Sequence, residues 1–340
     1  MARMPGIGRL WRERLRLAWP ALAMLLMAVL TTGVVDAQEG PAIRSTVNLV
    51  NVSFIARDAG GKLVDNLAKD DVEIAEDGVP QKIVHFAKST DVPLTLGLIV
   101  DASDSQSHFY KRHEKDLEIF LKSVLGPKDR TFLLCFGNHL RLVYDWERDG
   151  QAAQQVPDAV AAQMLENLKR YDKKSEAFPE IGPKEMRDLG TAFYDSIYYS
   201  ISEKMGKEDG RRALLIFSDG EDNSSSHDMM TTIEEAQREN VLVYTIRYTE
   251  LGKHGEPTAR NNYGTRVMNR IAKETGASNI DAKVLEPKEY FQRISEELRT
   301  SYEIGYYPSD AMKDESFRKI VIKPKRDGVK VRAKTGYFAR

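Results

Sequence analysis

Apolar and polar positions along this chain follow two different periods. Around residues 46–86 the period is two: Val47, Leu49, Asn51 and Ser53 fall on one face, and Val50, Val52 and Phe54 on the other. That is the pattern of a strand buried on one side. Asp58-Ala-Gly-Gly61 marks a turn, and further strands at 72–74 and 82–86 are separated by Asp77-Gly78, a dipeptide suited to the tight turn of a hairpin. So few strands bury too little to be stable alone.

From Pro93 onward, strands alternate with helices. This predicts the α/β class: a doubly wound, mainly parallel, Rossmann-like sheet covered on both faces. Residues 94–100 are almost wholly apolar, as a central strand requires. A helix follows over about 108–124, with Phe109, Leu117, Phe120, Leu121 and Val124 on one stripe and Gly126-Pro127 at its end. Strand 130–136 and an antiparallel edge strand at 139–144 come next. Helical spacing returns at 160–168 and again at Phe193, Ile197 and Ile201. Strand 213–217, helix 229–239, strand 241–248, helix 267–274 and helix 287–299 complete the alternation. The last opens with Pro287, whose missing N–H costs nothing in a first turn. After residue 300, period-two strands return at 302–307, 317–322 and 329–332. The strands at the two ends need partners. They are expected to pair, an N-terminal β segment at 45–88 with a C-terminal one at 301–340, as an accessory β module beside an α/β domain at 93–300.

The first 37 residues fit neither pattern. Arg3, Arg9, Arg12, Arg14 and Arg16 precede an uncharged run at 17–35, which ends at the small-residue stretch Val35-Asp36-Ala37. Residues 1–37 therefore read as a signal peptide. A retained anchor is the other reading, since a run of this length just spans a bilayer; Pro20 and Gly33 favour cleavage. The chain is thus expected to be exported, periplasmic or extracellular, and to touch a membrane only through an uncleaved N-terminus. Cleavage would remove five Arg, one Glu and one Asp, moving the formal charge from -1 to -4. The balance of 50 Lys and Arg against 51 Asp and Glu supplies no basic field, which excludes nucleic acid as a partner. Cys135 is the only cysteine, so an intrachain disulfide and a cysteine zinc site are both excluded, and its apolar neighbours make it a core thiol.

Candidate chemistry gathers where the strands end. Asp101-Ala-Ser103-Asp-Ser105 follows the first central strand, Gly190-Thr191 precedes a helix, and Ser218-Asp219-Gly220 follows another apolar strand. A doubly wound sheet brings such loops to one edge, beyond the carboxyl ends of its strands, where ligands collect. Hydroxyls and carboxylates are donors for a hard cation such as Mg2+, with Mn2+ or Ca2+ as alternatives, and Mg2+ keeps several of its waters.

Together these three pieces resemble the metal-ion-dependent adhesion site of von Willebrand factor type A (VWA) domains. The flanking stretches Lys69-Asp-Asp-Val-Glu-Ile-Ala-Glu-Asp-Gly78, Gly190-Thr-Ala-Phe-Tyr-Asp195 and Gly336-Tyr-Phe338 are similar to those of VWFA-related acidobacterial proteins, so the resemblance spans about residues 45–340. It implies that Ser103, Ser105 and Thr191 ligate the metal directly or nearly so, and that Asp101 and Asp219 act largely through bound water. It also implies an open coordination position that accepts an acidic side chain from a protein partner, hence a non-catalytic binding protein of bacterial origin. The residue between the two serines, often glycine in the family, is Asp104 here, a possible accessory group that would either tighten the cation or repel an acidic partner.

Plainer readings compete at each point. Asp101 to Ser105 alone could be a helix-capping turn. Asp195, Glu221 and Asp222 read as solvating a helix face or turn, and His85, His113 and His227 lack metal-ligand spacing. Tyr302, Tyr306, Tyr307, Tyr337 and Phe338 are explained by strand packing. The charged stretch 171–188 is either an ordinary connection or a rim of the metal face that selects the partner. Two other functions are open: a Mg-dependent hydrolase with Asp101 as nucleophile, disfavoured by the lack of a phosphate-cradling glycine loop, and a structural module with an idle site.

Overall fold

The computed structural model describes residues 49–89, 92–149, 156–171, 175–183, 190–249, 256, 258–310 and 314–339. All belong to one unit of the chain, 47–340; the expected signal peptide at 1–37 falls outside the described residues. Among the described residues, no helix is long and apolar enough to cross a membrane.

Four strands come first: β1 (Val50–Arg57), β2 (Val72–Glu76), β3 (Val79–Gln81) and β4 (Ile83–Ser89). The α/β region then runs β5 (Leu94–Asp101), α1 (Tyr110–Val124), β6 (Arg130–Phe136), β7 (Leu140–Asp145), α2 (Pro157–Tyr171), α3 (Phe193–Tyr199), β8 (Arg211–Ser218), α4 (Met229–Arg238), β9 (Val241–Arg247), α5 (Ala259–Thr275), β10 (Asn279–Asp281) and α6 (Pro287–Arg299). The chain closes with β11 (Ser301–Tyr306), β12 (Phe317–Pro324), β13 (Lys330–Ala333) and β14 (Gly336–Phe338).

The central sheet has six strands in the order β10-β9-β8-β5-β6-β7, all parallel except the edge strand β7. From β5 the chain goes to β6 on one side and later to β8 on the other, so the winding reverses between β5 and β8. In such sheets the reversal opens a crevice at the carboxyl ends of the two strands. β5 is buried at all eight positions. Leu94, Leu96, Leu98 and Val100 face a core shared with α1, α2 and α6, and Ile99 faces a second core with α3, α4 and α5. A fully buried Leu or Phe contributes roughly 1.5–3 kcal/mol, so these two cores can carry the cost of the buried carboxylates described below.

Helix ends follow local chemistry. Thr258 caps α5 by accepting from Asn261 N while Asn261 Oδ1 accepts from Thr258 N, a reciprocal pair that satisfies two of the exposed donors. The same helix stops at Gly276, whose φ of 86° is the left-handed angle that a residue without Cβ adopts freely. α5 begins eight residues before the apolar periodicity, because its first two turns are polar and Gly264 is their one fully buried residue. The connection between α2 and α3 partly covers the sheet edge: Leu142 N donates to Pro179 O (2.8 Å) and Ile181 N to Leu140 O (3.1 Å). Residues 178–181 thus shield β7, while 184–189 lie outside the described residues.

The strands from the two ends of the chain form two four-stranded sheets, β13-β1-β11-β4 and β14-β12-β2-β3. Val52 pairs with Ile304, and Ile74 with Ile322. Val52, Phe54, Ile74, Tyr302, Ile304, Tyr306 and Ile320 share one core between the sheets. The buried tyrosines find polar partners as well: Tyr306 OH donates to Glu76 Oε2 at 2.6 Å, and Tyr302 OH to Val64 O at 3.0 Å. On α6, Glu297 fastens this sandwich to the central sheet. It accepts from Arg57 of β1 at 2.6 Å, from Arg332 of β13, and from Tyr244 OH of β9 at 3.1 Å.

Candidate metal centre

Asp101, the last residue of β5, is fully buried. Its Oδ1 accepts from Ser103 N (3.0 Å) and Ser103 Oγ (2.6 Å), and its Oδ2 accepts from Ser218 Oγ (2.5 Å). Ser103 Oγ lies 3.1 Å from Ser105 Oγ, which in turn donates to Asp219 Oδ2 at 3.4 Å. Asp101, Ser103, Ser105 and Asp219 therefore form one hydrogen-bonded chain across the β5–β8 crevice. Ser103 precedes the 3-10 turn Asp104–Phe109, yet its side chain does not cap it. The hydroxyl is committed to Asp101 instead, which is not what a simple capping turn would do.

Thr191 is tied through its backbone to the loop that follows Asp219. Its N donates to Asn223 Oδ1 (2.6 Å), its O accepts from Asn223 N and Ser224 N, and Ala192 N donates to Gly137 O (2.8 Å). Ala102 N is likewise tied to Phe136 O at 2.6 Å, so the loops after β5, β6 and β8 and the start of α3 are stitched together. Asp104 is exposed, and its carboxylate takes no part in the hydrogen bonds that link the other four.

Three residues outside the expected ligand set help to build the centre. Ser218 holds Asp101; Gln106, 1% exposed, donates from Nε2 to Asp219 Oδ2 at 2.9 Å; and Gly264 lets α5 press against the Asp219 backbone, where an added Cβ would lie 2.0 Å from Asp219 O. The serine stands next to a named carboxylate in sequence, so its nearness was visible. The glutamine and the glycine carry no such signal, since their roles depend on a loop and a helix meeting in space.

The nearby acids require a correction. Asp195 does not solvate a helix face: it is fully buried and accepts from Ser226 N, His227 N (both 3.0 Å) and His227 Nδ1 (2.7 Å). The His227 ring stacks on Tyr198 with centroids 3.7 Å apart. Asp195 thus anchors the loop after Asp219 to α3. Asp222 accepts from Tyr194 N at 3.2 Å at the start of that helix, and Glu221 pairs with Arg260. Glu221 also meets the cluster, through its backbone, its N donating to Asp219 Oδ1 at 3.0 Å. His113 is wholly buried, while His85 is exposed.

Burial, and after it the nearby charge of Asp219, push the Asp101 carboxyl up to about 7, against the hydrogen bonds from Ser103 and Ser218 that favour its ionised form. The hydrogen-bond partners of both carboxylates among the described residues are hydroxyls and amides, so two acidic groups share a buried edge with no cationic side chain of those residues bonded to either. Among the described residues, no three His, Cys, Asp or Glu side chains cluster in a way that would hold a metal. A cation held here would rest on hydroxyl oxygens backed by two carboxylates. The donor set fits: a serine hydroxyl that gives its proton to Asp101 keeps its lone pairs for a hard cation, and the carboxylate orients it and raises its basicity.

No family model and no curated protein matches the chain. Solved structures with a similar arrangement include an aerotolerance-related membrane protein from Bacteroides fragilis NCTC 9343, at 15% identity over 60% of this chain and 98% of that one, with a TM-score of 0.41. The conserved hypothetical protein BatB from Bacteroides thetaiotaomicron is 14% identical over 60% and 97%, with a TM-score of 0.40. Proximal thread matrix protein 1 from the mussel byssus, described with a zinc-occupied MIDAS motif, is 12% identical over 65% of this chain and 49% of that one, with a TM-score of 0.42.

Proposed function

We propose that this chain is an exported, non-catalytic VWA-type binding protein that holds a divalent cation, Mg2+ or Mn2+, at Asp101, Ser103, Ser105, Thr191 and Asp219, and uses it to bind an acidic side chain of a partner protein. The observation that carries this reading is the unbroken link Asp101–Ser103–Ser105–Asp219 across the crevice between β5 and β8. Among the described residues, no cationic side chain is bonded to either carboxylate there, and a cation would neutralise them while an anionic group completes its shell. A bound metal would supply electrostatic attraction for that group. The reading is non-catalytic because Asp101, with no exposed surface, presents no face from which to attack a substrate phosphorus. Export rests on the N-terminal pattern of residues 1–37.

The test is calorimetric titration of Mg2+ and Mn2+ into the full chain and into an Asp219→Ala variant. Saturable uptake by the first and a loss of at least tenfold in the second is expected. Equal uptake by both sinks the site. Chelator-sensitive capture of an acidic partner from envelope extract is the expected functional readout, and metal-dependent turnover of phosphate esters would replace binding with hydrolysis.

A further inference from the structure

We propose that Gln106 is a further polar member of this metal centre, steadying Asp219 with its amide nitrogen and accepting, through its amide oxygen, a hydrogen bond from water held by the cation. The inference rests on the reading of the Asp101–Asp219 cluster as a cation site.

Gln106 follows Ser105 in the 3-10 turn and is 1% exposed. Its Nε2 donates to Asp219 Oδ2 at 2.9 Å and to Tyr248 O at 3.3 Å. Both partners can only accept, so the nitrogen end of the amide is fixed by its surroundings. The other end, Oε1, is then buried with no hydrogen-bond partner among the described residues. Leaving a buried amide oxygen unsatisfied costs about 1–3 kcal/mol, and native interiors commonly fill such a place with ordered water. Here the orphan oxygen lies within one amide's width of a nitrogen bound to Asp219 Oδ2, the same oxygen that Ser105 Oγ reaches at 3.4 Å. Mg2+ surrenders its waters reluctantly and keeps several, and each needs acceptors for its protons. The amide oxygen meets that need, and the geometry explains why a polar side chain occupies a wholly buried position beside the loop.

The alternative is a brace for Asp219 and nothing more. Two variants in the full chain separate the roles, with Mn2+ affinity and the metal-free melting temperature as readouts. Gln106→Met removes both ends of the amide; Mn2+ affinity is expected to fall 10–100-fold, the usual effect of deleting an outer-shell partner of a metal, while the metal-free protein still melts cooperatively. Gln106→Glu removes the N–H brace but keeps an acceptor oxygen and adds charge, so Mn2+ affinity is expected to equal or exceed that of wild type. Either of two results overturns the proposal: Gln106→Met within twofold of wild type, or Gln106→Glu as weak as Gln106→Met, which leaves only the brace. If wild type takes up no Mn2+ at all, the reading of the site falls and this inference falls with it.

Discussion

Ser218, the last residue of β8, donates its hydroxyl proton to Oδ2 of Asp101, the last residue of β5, at 2.5 Å. The bond closes the one boundary in the sheet where the winding reverses, and it is the donor that Oδ2 receives in a site with no solvent access. Ser218→Ala is therefore expected to lower the unfolding free energy by about 1–3 kcal/mol, the cost of stranding a buried acceptor. A lower urea midpoint with an unchanged slope checks it. A midpoint equal to wild type would mean that the hydroxyl does not hold the carboxylate.

Gly264 contributes through what it lacks. An added Cβ would sit 2.0 Å from Asp219 O, a backbone atom that cannot swing aside, so α5 and the Asp219 loop must separate. Gly264→Ala should cost about 1–3 kcal/mol from overpacking and also weaken Mn2+ uptake, because the carboxylate moves with its backbone. Thermal melting and Mn2+ titration on the same sample test the pair of effects. A variant that melts lower yet binds Mn2+ as wild type does would show that the contact supports only the fold.

The α/β class was legible because β5, β6, β8 and β9 are apolar almost throughout, while α1, α3 and α6 keep one apolar stripe each. Both patterns come from burial on known faces, which local sequence records. Short pieces were not legible in this way: β10 has three half-buried residues, and the polar first turns of α5 carry no stripe. At the candidate site, Asp101, Ser103, Ser105 and Asp219 could be named because they end strands or follow one another closely. Asp195 was misread as a solvated acid, since its burial depends on backbone N–H groups of residues 226 and 227, some thirty positions away, and side-chain polarity alone gives no sign of that. Gln106 and Gly264 were invisible for the same reason.

Glu297 joins three elements at once, and its carboxylate is only 5% exposed, against 27% for Arg57 and 33% for Arg332. Removing one partner of a buried pair leaves the others charged and uncompensated, typically at about 3–5 kcal/mol. The partial exposure of both arginines lets water solvate them, so Glu297→Gln is expected to lie at or below the low end, about 2–3 kcal/mol. The loss should be local in character. Amide hydrogen exchange is expected to quicken in β1 and β13 before the central strands β5 and β8 respond. Uniform quickening across both regions would mean that the sandwich and the sheet do not come apart at this clasp.

His113 supplies one contribution to the pH dependence of stability. It is wholly buried on α1, its ring 4.4 Å from that of Tyr248 and also against Phe109 and Phe217, with neither nitrogen hydrogen-bonded among the described residues. Burial, with a smaller contribution from His108, lowers its pKa from 6.5 to about 3. Between those two values the unfolded chain binds a proton that the folded chain refuses, so stability rises with pH across that window. The stabilising contribution is fully present above about 6.5 and is lost as pH falls towards 3. Protonation of the unfolded imidazole alone amounts to about 2 kcal/mol at pH 5 relative to pH 7.5. His113→Leu fills the same apolar space without a titrating group, so its urea midpoint at pH 7.5 should match or exceed that of wild type. Between pH 7.5 and 5 it should lose about 2 kcal/mol less than wild type. If the two proteins lose stability in parallel over that range, the ring is reached by water in the folded state and the acid sensitivity arises elsewhere.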